Sequence, residues 1–370
     1  MKKAGLITFH RPINYGAALQ SVALYKAITA LGVQCDLIDY RNPFFKQLYK
    51  PYHWPEICTV KNILWSVAIL PINLRKNIGF RRFISRNTSL TRPITNKDDL
   101  QKFGSTYDLY ITGSDQVWNL KCSGNETAYF LDFVQGKPKN AYAASFGDLD
   151  ISESAVPQYR KLLSGYDNIS VREASGVALV QKVLGERCVQ VLDPTLLLDM
   201  QQWSEITQHP KRVFPKKYVL VYLMGANETD REEILKAARK VAEEKGFEVL
   251  VIGESLHRKR DGIYYVHITS PDEFVALFHD AAFVVTNSFH GTAFSVNFQK
   301  EFYSYVKPDL AVEGRVESLL KMLGIENRVF SHCTDIPSFD KAVDYQKATA
   351  ALQAARLDSI HYLRGVLHGN

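Results

Sequence analysis

Short apolar runs alternate along the chain with stretches whose apolar residues recur every three or four positions. AGLITF (4–9) reads as a strand and RPINYG (11–16) as a loop. AALQSVALYKAITALG (17–32) has helical spacing and closes on Gly32, and CDLIDY (35–40) is the next strand. Strand, helix, strand is the βαβ signature of a parallel sheet. The alternation resumes with DLYITGSDQVW (108–118), NAYAASFG (140–147), a helical stretch over 152–164, NISVRE (168–173), the helix SGVALVQKVLG (175–185) and VQVLDPT (189–195).

A second series follows the Pro- and Lys-rich stretch HPKRVFPKK (209–217). KYVLVYLMG (217–225) has the pattern of a fully buried strand. Thr229 and Glu232 predict a capping box for a helix ending at Gly246. FEVLVIG (247–253) is a strand, and Ser270, Pro271 and Glu273 fit N-cap, N1 and N3 of a helix through Asp280. FVVTNS (283–288) and FYSYV (302–306) read as strands, and 315–324 and 344–367 as helices. Two βα series in succession predict an α/β protein of two doubly wound, Rossmann-like domains facing a cleft. The expected division is an N-terminal domain over 1–165, a C-terminal one over 166–340 and a helical tail over 341–370.

Composition adds little: 370 residues, 46% hydrophobic and 23% charged, suit a globular chain of two domains. Met1 and two lysines lead directly into AGLITF, too short for a secretory apolar segment. The longest apolar run, ILWSVAILPI (63–72), falls short of a bilayer span. The five cysteines are scattered and form no CxxC pair. Neither a disulfide framework nor a metal site is expected, and a reducing cytoplasm fits best.

Charge changes the picture more. Between Arg41 and Arg92 stand ten Lys or Arg against one acid, Glu56, whereas the whole chain carries only +6. The same segment holds Phe44, Phe45, Tyr49, Tyr52, His53, Trp54, Trp65, Phe80 and Phe83. Basic residues interleaved with aromatics suit an anionic membrane face, and would also suit single-stranded nucleic acid. The plainer reading is a solvated insertion with a small core of its own. Of the two ligands a peripheral membrane contact is preferred, and no nucleic-acid partner is expected.

Four strand-end loops could carry chemistry. In VVTNSFHGTAFSV (284–296), His290 stands where a strand ends and a helix begins, the edge at which open α/β sheets bind ligands. Asn287, Ser288, Gly291 and Thr292 surround it. Free amides at the helix start, close backbone approach at Gly291 and the Thr292 hydroxyl would hold a phosphate or carboxylate. The histidine could donate to an anion or act as a general acid, or merely fill the junction. In GSDQVW (113–118), Asp115 and Gln116 place polar ends at a strand mouth and Trp118 could stack on a sugar; alternatively Trp118 is buried beside an Asx turn. Asn14, Tyr15 and Gly16 open the first helix, either as a ligand loop or as a simple helix start. Arg172 could clamp an anion bidentately, or pair with Glu173 or Asp193. LDPT (192–195) reads as a structural Pro turn.

Taken in order, ITFHRPINYGAALQ, YDLYITGSDQVW, YFLDF, AYAASFG, ISVRE, VLDPTLLL and VVTNSFHGTAFS resemble the polysaccharide pyruvyl transferase family over about residues 4–306. The resemblance implies a glycosyltransferase-B-type fold. It also implies transfer of a pyruvyl group from phosphoenolpyruvate to sugar hydroxyls of a surface polysaccharide or its lipid-linked precursor, as a cyclic ketal. Phosphoenolpyruvate would be the donor substrate and no cofactor would be needed. The resemblance places Arg172 and His290 on the donor, with Asn287, Ser288, Gly291 and Thr292 around it. Apart from the resemblance, Asp115 is assigned as base or acceptor orienter, and Asn14, Tyr15, Gly16, Gln116 and Trp118 are assigned to the acceptor. Many family members carry an arginine two residues before the histidine. Here that position is Ser288, so one donor clamp is either missing or supplied from elsewhere, for example by Arg315 or Lys307. The alternatives are a nucleotide-sugar-dependent glycosyltransferase and a glycan-binding homologue without catalysis. The expected location is the cytoplasm, at the inner membrane face.

Overall fold

A computed structural model describes residues 1–49, 60–147, 150–186, 188–208, 217–253, 258–307, 314–336, 339 and 341–369. Among the residues singled out above, Lys50, Tyr52, His53, Trp54, Glu56 and most of the 209–217 stretch lie outside the described residues. The chain forms two compact units: the first comprises 1–49, 80–198 and 354–369, and the second 60–79 and 199–353.

The first unit is built on a six-stranded, all-parallel sheet. Its strands are β1 (Lys3–Ile7), β2 (Gln34–Leu37), β3 (Leu109–Thr112), β4 (Lys139–Ala144), β5 (Asn168–Val171) and β6 (Val189–Gln190), in the order β2-β1-β3-β4-β5-β6. The second unit carries β7 (Tyr218–Tyr222), β8 (Glu248–Ile252), β9 (Arg258–Arg260), β10 (Ile263–Val266), β11 (Phe283–Thr286), β12 (Glu301–Tyr305) and β13 (Val329–Phe330). Their order is β13-β12-β11-β7-β8-β10-β9, parallel except for the antiparallel edge strand β9. The central strands YVLVY and FVVT are buried at every position. Helices cover both faces of a parallel sheet, so its strands read as continuous apolar runs.

Among the parallel strands of each sheet the order reverses once. The reversal falls between β1 and β3 in the first sheet and between β7 and β11 in the second. At such a switch point the flanking loops diverge to opposite faces and leave a crevice outside the carboxyl ends of the strands.

Two expected boundaries are corrected. The first unit does not end at 165, because β5 pairs in parallel with β4 (Asn140↔Asn168, Ala141↔Ile169) and β6 pairs with β5. Periodicity identifies a strand but not the sheet that satisfies its backbone. Nor is the last helix, Tyr345–His368, an independent tail. Its second half is tied to the first unit: Arg356 Nε donates to Leu196 O (2.7 Å), Leu192 N to Ser359 Oγ (2.9 Å) and Tyr362 OH to Ala141 O (3.0 Å). The predicted cap at Thr229 also moves: Asn227 Oδ1 accepts from Asp230 N (2.8 Å), so the helix starts at Glu228. Ser270 and Pro271 cap and open the Pro271–Asp280 helix as predicted.

Candidate functional site

The switch point of the second sheet carries His290. β11 ends at Thr286, whose Oγ1 donates to Tyr222 O (2.7 Å) and accepts from Ser288 N (3.0 Å). Asn287 is an amide latch across the switch point: Oδ1 accepts from Met224 N (2.8 Å) and Nδ2 donates to Met224 O (2.9 Å). Ser288 is the N-cap of the Phe289–Asn297 helix, its Oγ accepting from Gly291 N (3.4 Å). Thr292 Oγ1 donates to Ser288 O (3.1 Å) and meets Ser304 Oγ (2.7 Å). The His290 ring is half-buried and stands edge-on to Phe289, 5.3 Å away.

These bonds give four of the residues assigned to the donor a structural task. Asn287, Ser288 and Thr292 spend their polar atoms on the strand–helix junction. Gly291 also answers a packing need: a Cβ there would stand 2.5 Å from Thr286 Oγ1. Arg315, half-buried at the start of the Arg315–Met322 helix, belongs to the same unit. Lys307 is ion-paired with Asp230 (3.1 Å), whose other oxygen accepts from Tyr305 OH (2.8 Å).

The carboxyl edge of the first sheet carries two polar clusters. The first contains Arg172, which lies in this unit and not, as expected, in the second. Its guanidinium side chain is 1% exposed, with NH1 donating to Asp193 Oδ2 (2.9 Å) and Nε to Glu173 Oε2 (3.3 Å). Asp193 also accepts from Ser114 Oγ (3.0 Å), Thr195 N (2.9 Å) and Thr195 Oγ1 (2.7 Å), while Glu173 accepts from Ser145 Oγ. Burial would lower the Arg172 pKa, but the charges of Glu173, Asp193 and Asp115 raise it above its ordinary value. An arginine so placed is a permanent cation binding the ends of β3, β4, β5 and β6 together. The expectation of an accessible clamp gives way to the ion-pair reading, because two buried carboxylates hold it.

Asp115 is half-buried at φ 77°, a left-handed conformation that costs a non-glycine residue energy. Its carbonyl accepts from Ser145 N (3.0 Å) and Val117 N (2.7 Å), and its Oδ1 accepts from Gln116 N (2.9 Å). Gly113 before it packs too tightly for a side chain, a Cβ there standing 2.9 Å from Thr8 Cβ. Gln116 is half-buried and its Oε1 accepts from Cys122 Sγ (3.2 Å). Trp118 is fully buried, stacked on Phe130 (6.1 Å, 15°) and packed on Phe146 and Tyr166. No sugar can reach its face, so the sugar-stacking role is withdrawn. Asn14 caps the first helix through Ala17 N (3.2 Å), Tyr15 is buried against Phe80 (5.1 Å), and Gly16 is buried with them.

The second cluster was not singled out from the sequence. His10 follows β1 and is buried, with Nδ1 3.1 Å from Thr8 O and Nε2 3.4 Å from Asp39 Oδ1. Arg11 Nε donates to Asp39 Oδ1 (2.6 Å), and Arg41 NH2 lies 3.4 Å from Asp39 Oδ2. Burial lowers the His10 pKa, and its bond to Asp39 offsets this only in part. Burial would raise the Asp39 pKa, but bonds from His10 and Arg11 hold the carboxyl well below its ordinary value. Two guanidiniums share one carboxylate, leaving net positive charge, with Arg11 and Arg41 both partly exposed. The available signal was HR directly after a strand, with an acid ending the next one.

One pocket of about 550 Å3 opens at the opposite, amino edge of the first sheet, between Lys2, Asp108, Asp167 and His361. Its carboxylates serve the fold: Asp108 accepts from Lys3 N (2.8 Å) and Asp167 from Lys139 N (2.8 Å). Among the described residues no group of His, Cys, Asp or Glu could hold a metal, and no helix is long and apolar enough to cross a membrane.

Comparison with known proteins agrees with this architecture. UDP-GlcNAc 2-epimerase from Methanocaldococcus jannaschii superposes with a TM-score of 0.52 at 11% identity, over 95% of this chain and 92% of that one. MnaA of S. aureus, solved with UDP, gives 0.50 at 13% identity, over 94% and 87%. At such identities the likeness is one of fold, the two-unit α/β arrangement of GT-B-type sugar enzymes. No curated protein gives a significant match. Residues 14–306, which take in β2 to β12 and the loops after β3 and β11, match the model described as polysaccharide pyruvyl transferase, and the chain belongs to that family.

Proposed function

We propose that this protein transfers a pyruvyl group from phosphoenolpyruvate to two hydroxyls of a glycan, forming a cyclic ketal and releasing phosphate. One observation carries the reading: the family match extends from β2 to β12, across both units, and includes the half-buried His290 at the switch point of the second sheet. His290 protonates the methylene carbon, which leaves an oxocarbenium-like centre at C2. A sugar hydroxyl attacks that carbon and gives up its proton to a base, the role assigned to Asp115. Phosphate then leaves, and a second hydroxyl closes the ketal. Arg172 is held by Glu173 and Asp193, and the cation for the donor is assigned to Arg315, which belongs to the same unit as His290.

Calorimetric titration of phosphoenolpyruvate, paired with phosphate release in the presence of glycan, tests the proposal. Binding and turnover lost in His290→Ala, with an unchanged melting curve, would support it. Binding of UDP but not phosphoenolpyruvate would instead indicate a nucleotide-sugar enzyme. Glycan binding with neither ligand would indicate a homologue without catalysis.

A further inference from the structure

The Val60–Asn87 helix has 28 residues, among them Lys61, Arg75, Lys76, Arg81, Arg82 and Arg86, and not one Asp or Glu. Phe80, Phe83 and Ile84 bury one side of it. The other side is also apolar over its first half: Leu64, Val67, Leu74 and Ile78 are 64%, 55%, 43% and 53% exposed, with exposed Pro71 between them. Their spacing of three, four, three and four residues draws a single line along the helix. At 1.5 Å per residue that line is about 21 Å long. Continued toward the carboxyl end, it turns basic at the exposed Arg81, Arg82 and Arg86.

A helix apolar on both sides is normally covered on both. The cover must accept aliphatic side chains along one stretch and take up positive charge along the next. A second copy of the helix meets the first requirement but not the second, since it has no Asp or Glu to take up the positive charge. An anionic bilayer meets both, since an in-plane helix buries its apolar line at the acyl boundary while arginines reach headgroup phosphates. We propose that this helix docks the protein on an anionic lipid surface, with Leu64, Val67, Leu74 and Ile78 inserted and Arg75, Arg81, Arg82 and Arg86 facing the headgroups.

Sedimentation of the full chain with vesicles tests this, using phosphatidylcholine alone or with about 30% phosphatidylglycerol. Neither donor nor glycan is needed, so the result is independent of the chemistry proposed above. The anionic vesicles should carry the protein down at low salt and pure phosphatidylcholine should not. Replacing Leu64, Val67, Leu74 and Ile78 together with Ser should lower the partition coefficient about tenfold or more at an unchanged melting temperature. Arg81→Gln with Arg82→Gln and Arg86→Gln should weaken binding and flatten its salt dependence. Equal binding by the Ser variant, or no binding to anionic vesicles, would overturn the proposal. So would a wild-type dimer that the Ser variant makes monomeric in the absence of vesicle binding, since a second copy would then be the cover.

Discussion

Replacing Arg172 with Met separates a structural cation from a ligand clamp. The side chain is 1% exposed, and its ion-pair partners Asp193 and Glu173 are themselves buried. Met fills much of the volume but leaves two carboxylates, with Asp115 close by, facing one another without a counter-charge. Breaking a buried pair from one side costs about 3–5 kcal/mol. At about 2–4 °C per kcal/mol for a unit of this size, the first unit should melt roughly 6–20 °C lower. Pairing Arg172→Met with Asp193→Asn removes one orphaned charge and should restore at least about 1 kcal/mol relative to additivity. Differential scanning calorimetry on the four proteins of the cycle supplies the comparison. If Arg172→Met melts within about 0.5 kcal/mol of wild type, the ordinary scatter of surface substitutions, yet no longer binds phosphoenolpyruvate, the ion-pair reading is wrong.

Three further outcomes are expected. Trp118→Ala should cost about 3–5 kcal/mol, whereas Trp118→Phe should fold and bind glycan as wild type does; lost glycan affinity in the Phe variant would restore the stacking role. Gly291→Ala should cost about 1–3 kcal/mol by overpacking against Thr286, and an unchanged urea midpoint would contradict the close contact. The buried His10, whose pKa is lowered, should make stability depend on pH: the unfolded imidazole takes up a proton below about pH 6.5 that the folded one refuses. Stability from this group is therefore complete above that pH and falls, by up to about 1.4 kcal/mol per pH unit, toward the folded value. His10→Asn should remove that part of the slope between pH 7.5 and 5.5, and an unaltered slope would refute it.

The sites were legible only in part. Loops that end strands are marked by small and polar residues, so 113–118, 170–173 and 286–292 could all be located. What each side chain does there depends on partners far along the chain. Arg172 meets Asp193 from a strand the pattern could not assign to a sheet, and Trp118 meets Phe130, Phe146 and Tyr166. The His10–Asp39 pair joins residues 29 apart, and only their places at the ends of successive strands hint at it.

The alternation of apolar runs and helical spacing, by itself, determined that this protein is built from parallel βα units, because that signal is local and repeats with each element. It also marked the basic, aromatic-rich stretch, since charge and residue type need no fold to be counted. Only the tertiary structure decided which sheet β5 and β6 complete, where each strand order reverses, and which polar side chains are consumed in holding strand ends together. Those outcomes rest on contacts between residues tens to hundreds of positions apart, and burial is a property of the packed chain rather than of any one segment.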